Sequence, residues 1–171
     1  KEWAKSDIGM ISFGQSIAVT PLQLTAAVAA IANEGQLVKP MLIKKIESSD
    51  GEYFKVFPPS EKGAPISKKT ADIVKDMMEY TVLTGTGKLS KINGFSVGGK
   101  TGTAQKVKTG SRGYWPGHYI SSFIGVVPVT KPKLILLVVI DDPQGAPWGE
   151  RIAAPVFAKV GKEFDGKIKF A

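Results

Sequence analysis

The stretch that decides the fold runs from Val97 to Val107, with the sequence V-G-G-K-T-G-T-A-Q-K-V. It places a lysine and two threonines among closely spaced glycines and then resumes an extended pattern. Glycine lets another backbone or a ligand come close, and the hydroxyls and the ammonium can bind an anion. The plainest interpretation is a glycine-kinked edge strand with a solvated lysine, because short motif matches are common by chance.

Two functional interpretations compete with this plain one. The first is a phosphate-binding loop, because Gly94 to Thr101 matches the pattern G-x-x-x-x-G-K-[ST]. Leu134 to Asp141 even resembles the apolar strand that ends in a Mg²⁺-linked aspartate. The second is the Lys-Thr-Gly element of the penicillin-recognising acyl enzymes, here Lys100 to Gly102.

The surrounding sequence argues against the phosphate loop. Such a loop follows a buried strand and opens a helix whose N-terminus holds the phosphates. Upstream, Lys88 to Asn93 is too polar for a buried strand, and downstream glycines and Pro116 prevent a helix. Thr103 and Asp141 are then joined by strands without the helical crossover that a parallel sheet needs. The nucleotide-binding interpretation is therefore rejected, because the predicted strands and helices do not follow the order that a phosphate-binding loop requires.

Composition sets broad limits on the function. The chain has 171 residues, enough for one domain, and a formal net charge of +8. The charges are scattered, which disfavours a nucleic-acid partner, and the absence of cysteine excludes disulfides and thiol chemistry. The apolar run Leu134 to Ile140 is too short to span a bilayer. Because the chain begins at Lys1 without a methionine, we expect a fragment or a processed piece.

The first half of the chain is predicted to form helices and, at residues 36–66, a hairpin and a loop. We expect Ile8 to Val19 to be extended, followed by a buried helix that Thr20 caps and that runs to about Asn33. Residues 36–66 form a hairpin and a loop. Within them, Met41 to Glu47 and Tyr53 to Phe57 are the two strands, and Pro58 to Ile66 is the proline-rich loop.

The second half predicts a sheet between helices. Ser67 caps a helix with an apolar stripe, in which Met77 and Met78 are expected in the core. A polar loop, Lys106 to His118, leads to two antiparallel strands. These strands are Tyr119 to Val129 and Lys133 to Asp141, and a closing helix, Arg151 to Phe164, buries Ile152, Val156, Phe157, Val160 and Phe164. The fold class is α+β, an antiparallel sheet covered by helices, with residues 1–171 forming part of one domain.

Several segments together resemble the C-terminal half of a class B penicillin-binding protein, a peptidoglycan transpeptidase. They occur over nearly the whole chain and in the order of that family. The segments are Ile11 to Gln15, Val19 to Leu24, Ala29 to Gly35, Gly85 to Gly87, Val97 to Gln105, Ser122 to Gly125 with Pro128, and Ala153 to Phe157.

The resemblance implies acyl transfer through a serine nucleophile, in which a stem peptide ending in D-Ala-D-Ala acylates the serine and a neighbouring amine takes the acyl group. A β-lactam would trap the same serine. No Ser-x-x-Lys and no Ser-x-Asn occurs in the chain. The nucleophile and the general-base lysine are therefore expected upstream of Lys1, and this chain alone is expected to be inactive.

The resemblance also implies roles for residues of the central stretch. Lys100 would support carboxylate binding and proton transfer, and the Thr101 and Thr103 hydroxyls would hold the terminal carboxylate. Gly102 would let the acyl chain approach, and the backbone N–H of Thr103 would be one of two oxyanion donors. Gln105, Tyr114 and Trp115 are further candidates for substrate contact. For Tyr114 and Trp115, aromatic side chains exposed in a loop without a binding role are an equal alternative.

Other polar residues carry weaker assignments. His118 has no acidic partner nearby in sequence, so we expect it to be solvated. Asp141 and Asp142 end a strand and are expected to cap a turn rather than to bind a metal. No metal and no cofactor are implied.

The expected partners are peptidoglycan stem peptides, β-lactam antibiotics, the N-terminal half of the same protein and membrane-bound cell-wall synthesis or division proteins. The expected location is the bacterial cell envelope, on the extracytoplasmic face of the cytoplasmic membrane. Tyr119 to Gly125 and the loop after Gln105 resemble the cell-division and sporulation type more than the elongation type. A non-catalytic β-lactam or stem-peptide sensor of the same fold is the alternative function.

Overall fold

The computed structural model describes residues 7–12, 14–15, 17–110 and 113–165. Among these residues, no helix is long and apolar enough to cross a membrane. The elements in chain order are α1 (Asp7–Ile11), α2 (Pro21–Ala32), β1 (Lys45–Glu47), β2 (Phe54–Val56), α3 (Lys68–Leu83), a 3₁₀ turn (Lys88–Ser90), β3 (Gly98–Val107), β4 (Tyr114–Val127), β5 (Leu134–Asp141) and α4 (Gly149–Asp165).

The central sheet has the order β3-β4-β5 and is antiparallel throughout. Lys100 lies opposite Ile124 on β4, and Ile124 lies opposite Leu137 on β5. Among the described residues, β1 and β2 pair with each other in a separate two-stranded sheet, as the predicted hairpin requires. The α+β class with an antiparallel sheet is confirmed, and Lys100 lies in a strand rather than at the start of a helix.

Helices cover both faces of the sheet. On one face, Phe123 packs with Phe157 and the small residues Ala153 and Ala154 of α4, all of them fully buried. On the other face, Ile124 and Val126 pack against α2 and α3. The sheet is therefore the middle layer of the structure, and its edge strand β3 lies between the helices on the two faces.

Local sequence explains the start and the end of α2. The Thr20 hydroxyl accepts from the backbone N–H of Gln23 (3.2 Å), and the Gln23 side chain accepts from the backbone N–H of Thr20 (2.9 Å). This is the predicted capping box. Gly35, with a φ of +90°, follows the helix in a conformation that favours glycine.

The prediction that α2 is buried on all sides is wrong. Val28, Ala30 and Ala32 are buried, but Leu22 is 60% exposed. Only the side of the helix that faces α3 and the sheet meets other described elements, because apolar composition by itself does not supply a second packing surface.

Two predicted core residues are also exposed. In α3, Met78 is buried as predicted, but Met77 is 63% exposed because one position along a helix turns the side chain away from the sheet. In α4, Phe157 is fully buried, whereas Val156 is 41% exposed for the same reason. Pro155 lies inside α4, beyond its first turn.

Several boundaries differ from the sequence prediction. β1 begins at Lys45 rather than at Met41, so the first strand of the hairpin is shorter than predicted. Asp7–Ile11 is helical rather than extended, whereas residues 17–20 form no helix or strand and Thr20 is extended. Phe13, within one of the resembling segments, lies outside the described residues. β3 continues to Val107 and β4 begins at Tyr114, so the predicted loop is shorter, because backbone pairing between the strands extends past the polar residues.

Candidate functional site at the edge of the sheet

The edge strand β3 directs alternate backbone groups away from the sheet. The Asp142 N–H donates to the Tyr119 carbonyl (2.8 Å), so the odd-numbered residues of β4 direct their backbone groups toward β5. The even-numbered residues of β4 therefore direct theirs toward β3, where Ser122 lies opposite Gly102. It follows that Gly102 is bonded into the sheet.

The same alternation fixes the orientation of Thr101 and Thr103. Because Lys100 and Gly102 bond to β4, the backbone N–H and carbonyl of Thr101 and Thr103 point toward the opposite edge. Within the part of the chain that the structure describes, no strand pairs with that edge. The edge thus presents backbone donors and acceptors to a ligand or to another segment.

Lys100 lies at this edge with an exposed side chain. Its ammonium donates to the backbone carbonyl of Thr101 (2.9 Å), one of the groups that face away from β4. An ammonium has three donors, so this bond leaves capacity to bind an anion at the same edge. The role of Lys100 in binding a substrate carboxylate stays a prediction.

The half-buried side chain of Thr101 lies on the α4 face of the sheet, opposite the face that Lys100 occupies. Its hydroxyl lies 3.1 Å from the hydroxyl of Thr86, a residue in the loop after α3. This contact could not be predicted from sequence, because the two residues are fifteen positions apart and only the fold brings them together.

Thr103 connects the edge strand to the start of α4. Its hydroxyl accepts from the backbone N–H of Gly149 (3.2 Å), which leaves the hydroxyl proton free to donate. The neighbouring Ser121, fully buried on β4, donates to the carbonyl of Pro147 just before the same helix. The position of Thr103 is therefore determined by β4 and by the α4 N-terminus together.

Gly102 has a structural requirement besides the predicted approach of a ligand. A Cβ at this position would lie 2.5 Å from the Ser122 hydroxyl on the adjacent strand. A larger residue here would require the Ser122 hydroxyl to rotate away, and it would narrow the space beside the edge strand.

The other assigned binding residues lie farther along the hairpin. Tyr114 is opposite Val107, and at about 3.3 Å per residue this position is roughly 23 Å along the strand from Lys100. The Tyr114 hydroxyl donates to the Gln15 side chain (3.4 Å), and the Lys108 ammonium lies 5.3 Å from the centre of a Trp115 ring. The exposed Gln105 lies between the two ends of the strand. Contact of these three residues with substrate stays a prediction.

His118 is exposed, as expected, and it also has an acidic partner that is distant in sequence. Its Nδ1 lies 2.9 Å from the Asp142 carboxylate, because the β4–β5 register brings the end of β5 beside the start of the paired part of β4. The adjacent Asp141 pairs with Lys106 (2.8 Å), and this hydrogen bond raises the pKa of Lys106 above 10.5. In the described residues no group of three potential ligands is arranged for a metal ion.

A comparison with known protein families identifies this arrangement. Residues 1–162 match the family model of the penicillin-binding protein transpeptidase domain. The chain belongs to this family. The family match covers β3 and the residues that surround it.

Individual relatives agree with this membership. Stage V sporulation protein D of Bacillus subtilis is 38% identical over 154 residues, which cover 89% of this chain and 24% of that protein. Peptidoglycan D,D-transpeptidase FtsI of Escherichia coli is 36% identical over 163 residues, 94% of this chain and 25% of that protein. The chain therefore spans about a quarter of the length of these relatives.

A solved structure shows the same transpeptidase fold. Penicillin-binding protein 3 from Mycobacterium tuberculosis, in complex with ampicillin, superposes with a TM-score of 0.84 at 30% identity. The match covers 97% of this chain and 38% of that one. The transpeptidase fold of this chain is thus supported by sequence and by structure.

Proposed function

We propose that the protein containing this chain is a peptidoglycan D,D-transpeptidase that works through a serine acyl-enzyme and is acylated by β-lactams. The observation that carries the proposal is the edge of β3 that pairs with no described strand, in a chain of the transpeptidase family. At this edge the side chain of Lys100 is exposed, and the backbone N–H of Thr103 points away from β4. An outward backbone donor on a fixed strand suits an oxyanion, whose charge develops only in the transition state.

The residues of this chain would bind and orient the acyl donor. Lys100 supplies positive charge beside the carboxylate of the terminal D-Ala or of the drug, and the Thr101 hydroxyl donates to that carboxylate. Thr103 donates its backbone N–H to the carbonyl oxygen as the serine attacks, and loss of one such donor typically costs about 3 to 4 kcal/mol of transition-state stabilisation. The Thr103 hydroxyl, which accepts from Gly149, keeps its own proton for the ligand.

We infer that the nucleophile belongs to another part of the full-length protein. The chain contains neither a Ser-x-x-Lys nor a Ser-x-Asn sequence. We infer that the serine, its general-base lysine and the second oxyanion donor lie outside these residues, and that this chain alone turns over no substrate. We place the full protein on the outer face of the cytoplasmic membrane, with division or sporulation proteins as its partners.

Two assays on the full-length protein test this function. A fluorescent penicillin should label it covalently, and purified stem-peptide substrate should be cross-linked by the same preparation. Labelling without cross-linking would favour a β-lactam or stem-peptide sensor instead. Absence of labelling, in a preparation that unfolds cooperatively on heating, would overturn the proposal.

A further inference from the structure

The loop between α3 and the 3₁₀ turn is held firmly at both of its glycines. The N–H groups of Gly85 and Gly87 each donate to the carbonyl of Thr81 (3.0 Å in both cases). The carbonyl of Gly87 accepts from the buried Ser90 hydroxyl (2.7 Å) and from the Ser90 N–H (2.9 Å). The residue between these glycines, Thr86, is therefore presented by a fixed backbone.

A side chain at either glycine would crowd the last turn of α3. A Cβ at Gly87 would lie 2.9 Å from Val82 Cγ2, and a Cβ at Gly85 would lie 3.0 Å from the Thr81 carbonyl oxygen. The close packing of the loop on the last turn of α3 brings the Thr86 hydroxyl to 3.1 Å from that of Thr101.

We propose that Thr86 is a positioning residue that directs the Thr101 hydroxyl toward the carboxylate of the acyl donor. The inference rests on the proposed function of Thr101. A hydroxyl has one proton and can accept two hydrogen bonds. If Thr86 donates to Thr101, the proton of Thr101 is directed away from Thr86 and is available for an anion at the edge of β3.

The chain offers a matched set of variants for the test. Thr86→Val removes the hydroxyl and keeps the shape of the side chain, while Thr86→Ser restores the hydroxyl. Thr84→Val is the control, because Thr84 is in the same loop but its hydroxyl donates to the Tyr80 carbonyl within α3 (2.9 Å). The probes are ampicillin and its methyl ester, which lacks the carboxylate charge, and the readout is the second-order rate constant for acylation of the full-length protein.

The ratio of the two rate constants decides the outcome. We expect Thr86→Val to lower the rate with ampicillin about tenfold and to change the rate with the ester little, since a hydrogen bond to a charged group is lost only with ampicillin. Thr86→Ser should recover most of the ratio, and Thr84→Val should leave it unchanged. Because the ratio is taken within one preparation, a lower folded fraction cancels.

Two results would contradict the inference in different ways. An unchanged ratio in Thr86→Val, with the wild-type protein acylated normally, would reject the positioning role and leave the proposed function intact. A wild-type protein that ampicillin does not acylate would overturn the proposed function, and the role of Thr86 with it.

Discussion

The backbone N–H of Gly149 donates to the hydroxyl of Thr103, which bonds the first residue of α4 to the edge strand of the sheet. The approach is close enough that a Cβ on Gly149 would lie 2.5 Å from the Ser122 carbonyl oxygen and 2.6 Å from that of Gly102. Backbone atoms in a paired strand cannot move without disturbing the sheet. The helix start and the edge strand are therefore fixed together.

Gly149→Ala should disturb both stability and the site. Overpacking against backbone typically costs about 1 to 3 kcal/mol, and the shift of β3 should also slow acylation by ampicillin. Urea denaturation and the acylation rate measure the two effects. Gly9→Ala is the control, because its Cβ would meet nothing within 4 Å. Equal stabilities of the two variants would show that the contact is easily relieved.

Phe157→Ala should destabilise the chain strongly. The ring is fully buried and lies edge-on to Phe123, with the ring centres 4.9 Å apart. Removing a buried phenylalanine costs about 3 to 5 kcal/mol in the free energy of unfolding. The neighbouring Val156→Ala, at a position that is 41% exposed, should change it by about 0.5 kcal/mol or less. A small effect of Phe157→Ala would mean that α4 is not the main cover of this face.

Lys100→Gln should impair acylation without affecting folding. Its side chain is exposed, so the free energy of unfolding should change by about 0.5 kcal/mol or less. Loss of a charged partner for the carboxylate should slow acylation by ampicillin about 10- to 100-fold. Lys88→Gln, which changes an exposed lysine outside the strand, serves as the control. Equal acylation rates for the two variants would remove Lys100 from the mechanism.

The carboxylate of Asp72 should titrate below its ordinary value of 3.8. Hydrogen bonds from Lys75 (3.0 Å) and then from Lys68 (3.1 Å) favour the charged form and lower its pKa. The stability that this carboxylate adds is thus present above pH 3.8 and is lost as the pH falls through the lower folded-state pKa.

NMR titration of the Asp72 carboxyl carbon measures this directly. Lys75→Gln should move the midpoint up toward 3.8, because it removes the largest cause of the shift. The nearby Lys69→Gln, at a position with no ion pair to Asp72, should leave the midpoint in place. A midpoint that stays the same in both variants would contradict the assigned cause.

Features that depend on neighbouring residues could be predicted from sequence. The capping box of Thr20 and Gln23 involves residues three positions apart. The glycines around Lys100 disfavour a helix, so a strand could be predicted there from residue type. Lys100, Thr101 and Gly102 lie on a strand, as this reasoning predicts. The catalytic and binding roles of its residues stay predictions.

Features that depend on register or packing could not be predicted. His118 meets Asp142 only because β4 and β5 align with a particular register, and Thr86 meets Thr101 only after α3 packs against β3. The exposure of Met77 likewise depends on which side of α3 finds a partner. Sequence spacing carries no information on any of these three arrangements.

A crystal structure of the full-length protein after reaction with ampicillin tests the central claim most directly. We predict a covalent adduct whose acyl carbonyl oxygen lies about 2.7 to 3.1 Å from the backbone nitrogen of Thr103, with the drug carboxylate at the Thr101 hydroxyl and beside Lys100. An adduct whose carbonyl oxygen is bound elsewhere, with the Thr103 N–H bonded to another segment of the protein, would contradict it.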